Sequence, residues 1–213
     1  VQPSPDPRTS TIEFATDDGI DIVGDLVIPA TTRAAAIVCH PHPQYGGNRF
    51  DHVVGALFSA LPASGVAALR FDFRHEFGGG VAEVRDAAAA VGELAREVPD
   101  VPIIAVGYSF GAMVVLGLGP SDEMAGMEAG EVVGKVLVAP PLAAMDIGPA
   151  SVVPTLVATP EHDQFTAPDA AEPIVARWSD AAFVTIPMAD HFLHGRTDAV
   201  VGAVLPWIDD LLA

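Results

Sequence analysis

Short apolar runs alternate with longer amphipathic stretches along this chain, and the period of each run assigns its element. Residues 11–15 and 20–28 read as two strands around the turn Asp17-Asp18-Gly19, an antiparallel pair. Residues 34–39 are apolar throughout and predict a buried strand. Residues 51–63 place Val54, Leu57, Phe58 and Leu61 at helical spacing, so one face of a helix is apolar. The alternation then repeats: strand 66–73, alanine-rich helix 81–98, strand 103–108, strands 132–139 and 155–159, helix 168–178, strand 183–186 and helix 197–212. Strands alternating with helices imply right-handed crossovers and a mainly parallel sheet covered by helices on both faces. Ligands of such sheets bind at the carboxyl ends of the strands. Residues 1–10, with Pro3, Pro5 and Pro7, read as a loosely held arm, and residues 11–213 as a single domain.

Composition narrows the possible partners. Half of the residues are apolar, yet Gly, Pro or charge breaks every apolar stretch well before the roughly 20 residues of a membrane span. The formal charge of −18 argues against nucleic acid and anionic membranes. Lys135 is the only lysine, and Cys39 the only cysteine, which excludes an internal disulfide and suits a reducing, cytoplasmic compartment. No basic segment followed by an apolar run opens the sequence. Cys39 ends an apolar strand and is expected to be a buried, inert thiol.

The candidate chemistry centres on Gly107-Tyr108-Ser109-Phe110-Gly111. A serine between two glycines at a strand-to-helix junction is a nucleophile elbow: the tight turn holds the hydroxyl out at the sheet edge, close to the first helix amides. Such a serine needs a base, and the base needs an orienting group. Imidazole suits the role because it is ordinarily neutral at pH 7. In this fold class the order is Ser, acid, His, each after a strand. Asp163 follows the strand at 155–159, and His191 follows the strand at 183–186. Glu161 is the main competitor for the acid, with Asp169 and Asp190 nearby, and His194 competes with His191. One oxyanion donor is the amide of Phe110. In the loop His40-Pro41-His42-Pro43 the prolines cannot donate, which leaves the amide of His42 as the second.

These residues resemble a known family. His40-Pro41-His42-Pro43-Gln44-Tyr45-Gly46-Gly47, Leu69-Arg70-Phe71-Asp72-Phe73-Arg74, the elbow, and Ala189-Asp190-His191-Phe192-Leu193-His194-Gly195 look like the small α/β-hydrolases akin to dienelactone hydrolases and bacterial carboxylesterases. The resemblance implies the α/β-hydrolase fold and an esterase-type serine hydrolase. Its triad would be Ser109, Asp163 and His191, its oxyanion donors His42 and Phe110, and it would need no cofactor or metal. The chain departs from the family after Arg74, where His75-Glu76-Phe77-Gly78-Gly79-Gly80 replaces a small-residue loop; His75 and Phe77 are candidate pocket residues. Arg74 is expected to pair with Asp86 or Glu83. Residues 140–154 are too few for the cap domain that related enzymes place there, so an open cleft is expected, with Leu142, Met145 and Ile147 as candidate walls or core. Small-molecule esters are the expected partners. A thioesterase or acyltransferase would use the same residues, and a silent binding protein would share the fold. A zinc site built on His40 and His42 with His162, Asp163, His191 or His194 is the metal alternative, and it leaves the elbow unexplained.

Overall fold

The computed structural model describes residues 8–119, 131–143 and 151–213. Strands β1 (Arg8–Ala15) and β2 (Asp21–Ile28) form the antiparallel ribbon, turning on Gly19 at φ 79°. Six strands follow: β3 (Ala34–Cys39), β4 (Val66–Phe71), β5 (Ile103–Tyr108), β6 (Val132–Val138), β7 (Thr155–His162) and β8 (Ala181–Asp190). They complete one sheet in the order β1-β2-β4-β3-β5-β6-β7-β8, antiparallel on both sides of β2 and parallel from β4 onward. Strands β3 and β5 are central, so both faces of each are buried. Alternate residues of β3 enter opposite cores: Ala35, Ile37 and Cys39 on one side, Ala34, Ala36 and Val38 on the other.

Helices supply the other half of each core. On one face, α1 (His52–Ala60) contributes Val53, Val54, Leu57 and Phe58, and the C-terminal helix contributes Val200, Val204 and Ile208. On the other lie α2 (Val81–Glu97), α3 (Phe110–Gly117) and α4 (Pro168–Val175), burying Ala87 to Val91, Val114 to Leu116, and Ala171 with Val175. The C-terminal helix is α5 (Thr197–Leu211).

Several boundaries differ from the sequence reading, five of them for a clear local reason. Strand β1 starts at Arg8, and Arg8 to Ser10 pair with Ile28, Val27 and Leu26, although their polar side chains carry no apolar signal. Residues 1–7 lie outside the described residues. Helix α1 stops at Ala60 and passes into a 3-10 turn at Leu61–Ser64, because Pro62 has no amide hydrogen to continue the α-helical ladder. Strand β4 stops at Phe71, since the amide of Phe73 donates to His40 Nε2 instead of a strand (3.0 Å). Strands β7 and β8 run on to His162 and Asp190, a register irregularity at Pro160 absorbing the proline that reads as a strand end.

Ion pairs fix the loops near the sheet's carboxyl edge. Arg74 binds Asp86 of α2 (2.7 Å) and Asp18 of the first turn (2.9 Å). Glu83, the other expected partner, is fully buried and accepts from the amides of Gly78 and Gly80 (2.7 and 2.8 Å), anchoring the loop that carries Phe77. No described helix is long and apolar enough to cross a membrane.

Candidate active site

Ser109 occupies the junction between β5 and α3 at φ 54° and ψ −115°, a conformation that L-residues rarely adopt. Both flanking glycines are required by close backbone approach. A Cβ on Gly107 would collide with the carbonyl of Gly111, and one on Gly111 with the carbonyls of Cys39 and His40. That second approach brings the His40–His42 loop against the start of α3. The amide of Ser109 donates to Val138 of the neighbouring strand (2.8 Å), which fixes the turn to the sheet.

Asp163 follows directly on β7 and is 6% exposed. Its Oδ1 accepts from the amides of Phe165 and Thr166 (2.7 and 3.0 Å), leaving Oδ2 for His191 Nδ1 at 2.8 Å. A carboxylate can only accept here, so Nδ1–H donates to it. The Nε2 lone pair then accepts from Ser109 Oγ–H at 2.8 Å. The backbone of His191 is held at both ends: its amide donates to Gln164 Oε1 (3.1 Å), and its carbonyl accepts from the buried Tyr108 hydroxyl (2.9 Å). The rival groups are engaged elsewhere. Glu161 Oε2 accepts from the Met188 amide (2.6 Å), Asp190 Oδ1 from the Phe192 amide (3.1 Å), and the His194 ring stacks on His52 with centroids 4.7 Å apart.

The two expected oxyanion donors are the amides of Phe110 and His42. Among the described residues, neither the amide of Phe110 nor that of His42 donates a hydrogen bond within the protein. The His42 carbonyl accepts from the amides of Tyr45 and Gly47 (both 3.1 Å), closing the loop into a rigid turn. The His42 ring packs on Phe77, Phe110 and Tyr45 with centroids 4.6, 4.7 and 4.8 Å away, and burial pulls its pKa below the ordinary value. Of the other pocket candidates, Phe77 therefore lies beside the His40–His42 loop, whereas His75 is exposed on the same segment. Leu142 is 1% exposed and taken up by the core around α2, α3 and α4; Met145 and Ile147 lie outside the described residues.

The histidines of the metal alternative do not converge. Buried His40 donates from Nδ1 to the Pro41 carbonyl (2.6 Å) and accepts at Nε2 from Phe73, so both ring nitrogens serve the backbone; burial lowers its pKa. No group of three or more His, Cys, Asp or Glu side chains is arranged to hold a metal ion among the described residues. Cys39 is buried, and desolvation pushes its thiol pKa far up, as expected of an inert thiol.

No family model matches the sequence. An uncharacterized protein of Rickettsia prowazekii is 28% identical over 188 residues, covering 79% of this chain and 76% of that protein. Among solved structures, a putative α/β hydrolase of unknown function from Agrobacterium tumefaciens is 26% identical with a TM-score of 0.80, covering 94% of this chain and 95% of that one. A lidless α/β serine hydrolase from Xanthomonas campestris superposes with a TM-score of 0.83 at 24% identity, over 98% of this chain and 97% of the other. The chain is an α/β-hydrolase by fold. Like the Xanthomonas protein, this α/β-hydrolase carries no cap domain among its described residues.

Sequence reasoning passed over several residues of this edge. Phe165 and Phe192 pack against the His191 imidazole with centroids 4.4 and 5.7 Å away, and Tyr108 and Gln164 hold its backbone. The available signal was position: each phenylalanine lies within two residues of the acid or the histidine. Strain marks the same edge. Of the five described non-glycine residues at positive φ, Ser109, Ala139, Met188 and Leu193 lie there, and only Asp100 does not.

Proposed function

We propose that this α/β-hydrolase is a serine hydrolase that cleaves carboxylic esters of small to medium soluble substrates through an acyl-enzyme on Ser109. The observation that carries the reading is the unbroken hydrogen-bond chain Asp163–His191–Ser109 at a strained elbow, beside two amides that have no partner among the described residues. Ser109 Oγ attacks the ester carbonyl carbon while His191 Nε2 takes its proton. The amides of Phe110 and His42 receive the oxyanion; one such donor is typically worth about 3–4 kcal/mol to the transition state. Nε2–H then protonates the departing alkoxide as the C–O bond breaks. Water, deprotonated by the same nitrogen, releases the acid and restores the serine. Asp163 keeps the imidazole in the required tautomer and stabilises its transient positive charge.

The test is labelling with a fluorophosphonate, alongside turnover of a short-chain ester. Wild type should label on Ser109 and hydrolyse the ester, with a chelator making no difference. Ser109→Ala should not label and should lose at least about 10³-fold in turnover. A Ser109→Ala protein that keeps most of its activity, or a wild type silenced by chelator, would overturn the assignment.

A further inference from the structure

We propose that Phe165 and Phe192 form a leaving-group subsite for the ring of an aromatic alcohol; the proposal rests on the serine-hydrolase reading above. In that chemistry one nitrogen, His191 Nε2, must reach both Ser109 Oγ and the leaving oxygen. The carbonyl oxygen points the other way, toward Phe110 and His42. Whatever is attached to the leaving oxygen therefore lies along the flank of the imidazole, and the side chains packed on that flank decide what fits.

Two phenyl rings pack on that imidazole. Phe165 meets the imidazole at 58° and Phe192 at 89°, and both keep about half of their surface in solvent, at 52% and 50%. Most of the large apolar side chains among the described residues are buried, so two half-open rings on one imidazole are an exposed apolar surface at the site. Their backbones are held in place. The Phe165 amide donates to Asp163, the Phe192 amide to Asp190, and the Phe192 carbonyl accepts from His52 Nε2 (2.9 Å). A substrate ring would meet surfaces already positioned, with little ordering to offset the gain. Glu161 accepts from the Met188 amide at the same carboxyl edge and Asp190 from the Phe192 amide, in a chain of net charge −18, which disfavours an anionic leaving group and favours a neutral one. An aromatic ring gains over an aliphatic ring of equal size through edge-to-face or offset stacking.

The experiment compares acetate esters, so that the acyl-enzyme and its hydrolysis are common to every substrate. Benzyl acetate and cyclohexylmethyl acetate differ in the ring but release alcohols of similar acidity. Wild type should prefer benzyl over cyclohexylmethyl acetate by about 3- to 10-fold in kcat/KM. Phe165→Leu and Phe192→Leu, which keep apolar bulk, should each bring the ratio toward one, mainly through KM for the benzyl ester. Ethyl esters of acetic and phenylacetic acid report the acyl side, and their ratio should not move. A wild-type ratio near one overturns the subsite. So do variants that lower both acetates equally, which would mean that the rings only shield the imidazole, or variants that shift the acyl ratio instead. Fluorophosphonate labelling run in parallel separates the two levels. Loss of labelling at Ser109 in wild type would sink the serine-hydrolase reading itself, whereas intact labelling with a flat alcohol ratio sinks only this inference.

Discussion

At the Phe110 end of α3 the chain leaves polar groups unused, and at the Leu116 end it ties them off. No side chain caps the first turn; Ser109 stands in a strained conformation, and the Phe110 amide points to no protein acceptor among the described residues. At the far end, Lys135 reaches in from β6 and donates Nζ hydrogen bonds to the carbonyls of Leu118 and Leu116 (2.6 and 3.3 Å). That side chain is the only lysine in the sequence and is 3% exposed. A cation is the favourable charge at a helix C-terminus, where the dipole is negative. Every helix has orphan groups at both ends. Here one set is left open beside a strained residue, while the other is satisfied by an ion that must itself be desolvated. An open end and a satisfied end are thus set apart by the 8 residues of one helix.

The largest expected effect tests the open end. Asp163→Asn should lower kcat by roughly 10²–10⁴-fold, because an amide no longer fixes the tautomer that leaves Nε2 free to take the serine proton. Glu161→Gln should cost no more than a few-fold, since Glu161 holds the Met188 amide and not the imidazole. Steady-state kinetics on a short-chain ester decide it, and a reversed ranking would move the acid to Glu161.

The closed end gives a stability effect with a defined pH window. Burial pulls the Lys135 pKa from 10.5 down to about 8. Between those values the unfolded chain holds a proton that the folded chain has released, so stability rises with pH across the window. The desolvation cost is fully present below about pH 8 and gone above about pH 10.5, a change of about 3 kcal/mol at 1.36 kcal/mol per pKa unit. Lys135→Met has no ammonium to bury, though it leaves two carbonyls without their donor. The difference in unfolding free energy between wild type and Lys135→Met, measured in urea at pH 7.5 and 10.5, should therefore move by about 3 kcal/mol in favour of wild type. A difference that stays constant would show that the ammonium is hydrated in the folded protein.

The two ends were not equally legible in the sequence. The elbow announces itself because glycine, serine and glycine at a strand-to-helix junction have few other uses, and the order Ser109, Asp163, His191 follows from strands buried on both faces. Those strands were easy to place because residues such as 34–39 are apolar at every position. Lys135 was counted but its partner was invisible, since contact between β6 and the end of α3 exists only after the sheet has assembled. The prolongation of β8 to Asp190 was hidden by Pro187 and by polar residues, because an edge strand obeys no burial pattern. Phe165 and Phe192 look like ordinary core residues until the fold leaves them half in water at the His191 imidazole.

The smallest expected effect measures the strain itself. Ser109→Ala and Ser109→Gly both remove the hydroxyl and its bond to His191, so they differ only in the Cβ. In an ordinary helix glycine is less stable than alanine by about 1 kcal/mol. At φ 54° and ψ −115° the order should invert, because the Cβ is what makes that conformation costly and glycine enters it freely. Ser109→Gly should therefore unfold at a higher temperature than Ser109→Ala, by about 2–4 °C for each kcal/mol in a domain of this size. Ala112→Gly, inside α3 and three residues further on, should show the usual sign and lose stability. Thermal unfolding of the variants, each inactive or active as it happens to be, gives the answer without reference to any substrate. If glycine destabilises at both positions, the serine is not held under strain, and the contrast between the two ends of α3 reduces to the buried lysine alone.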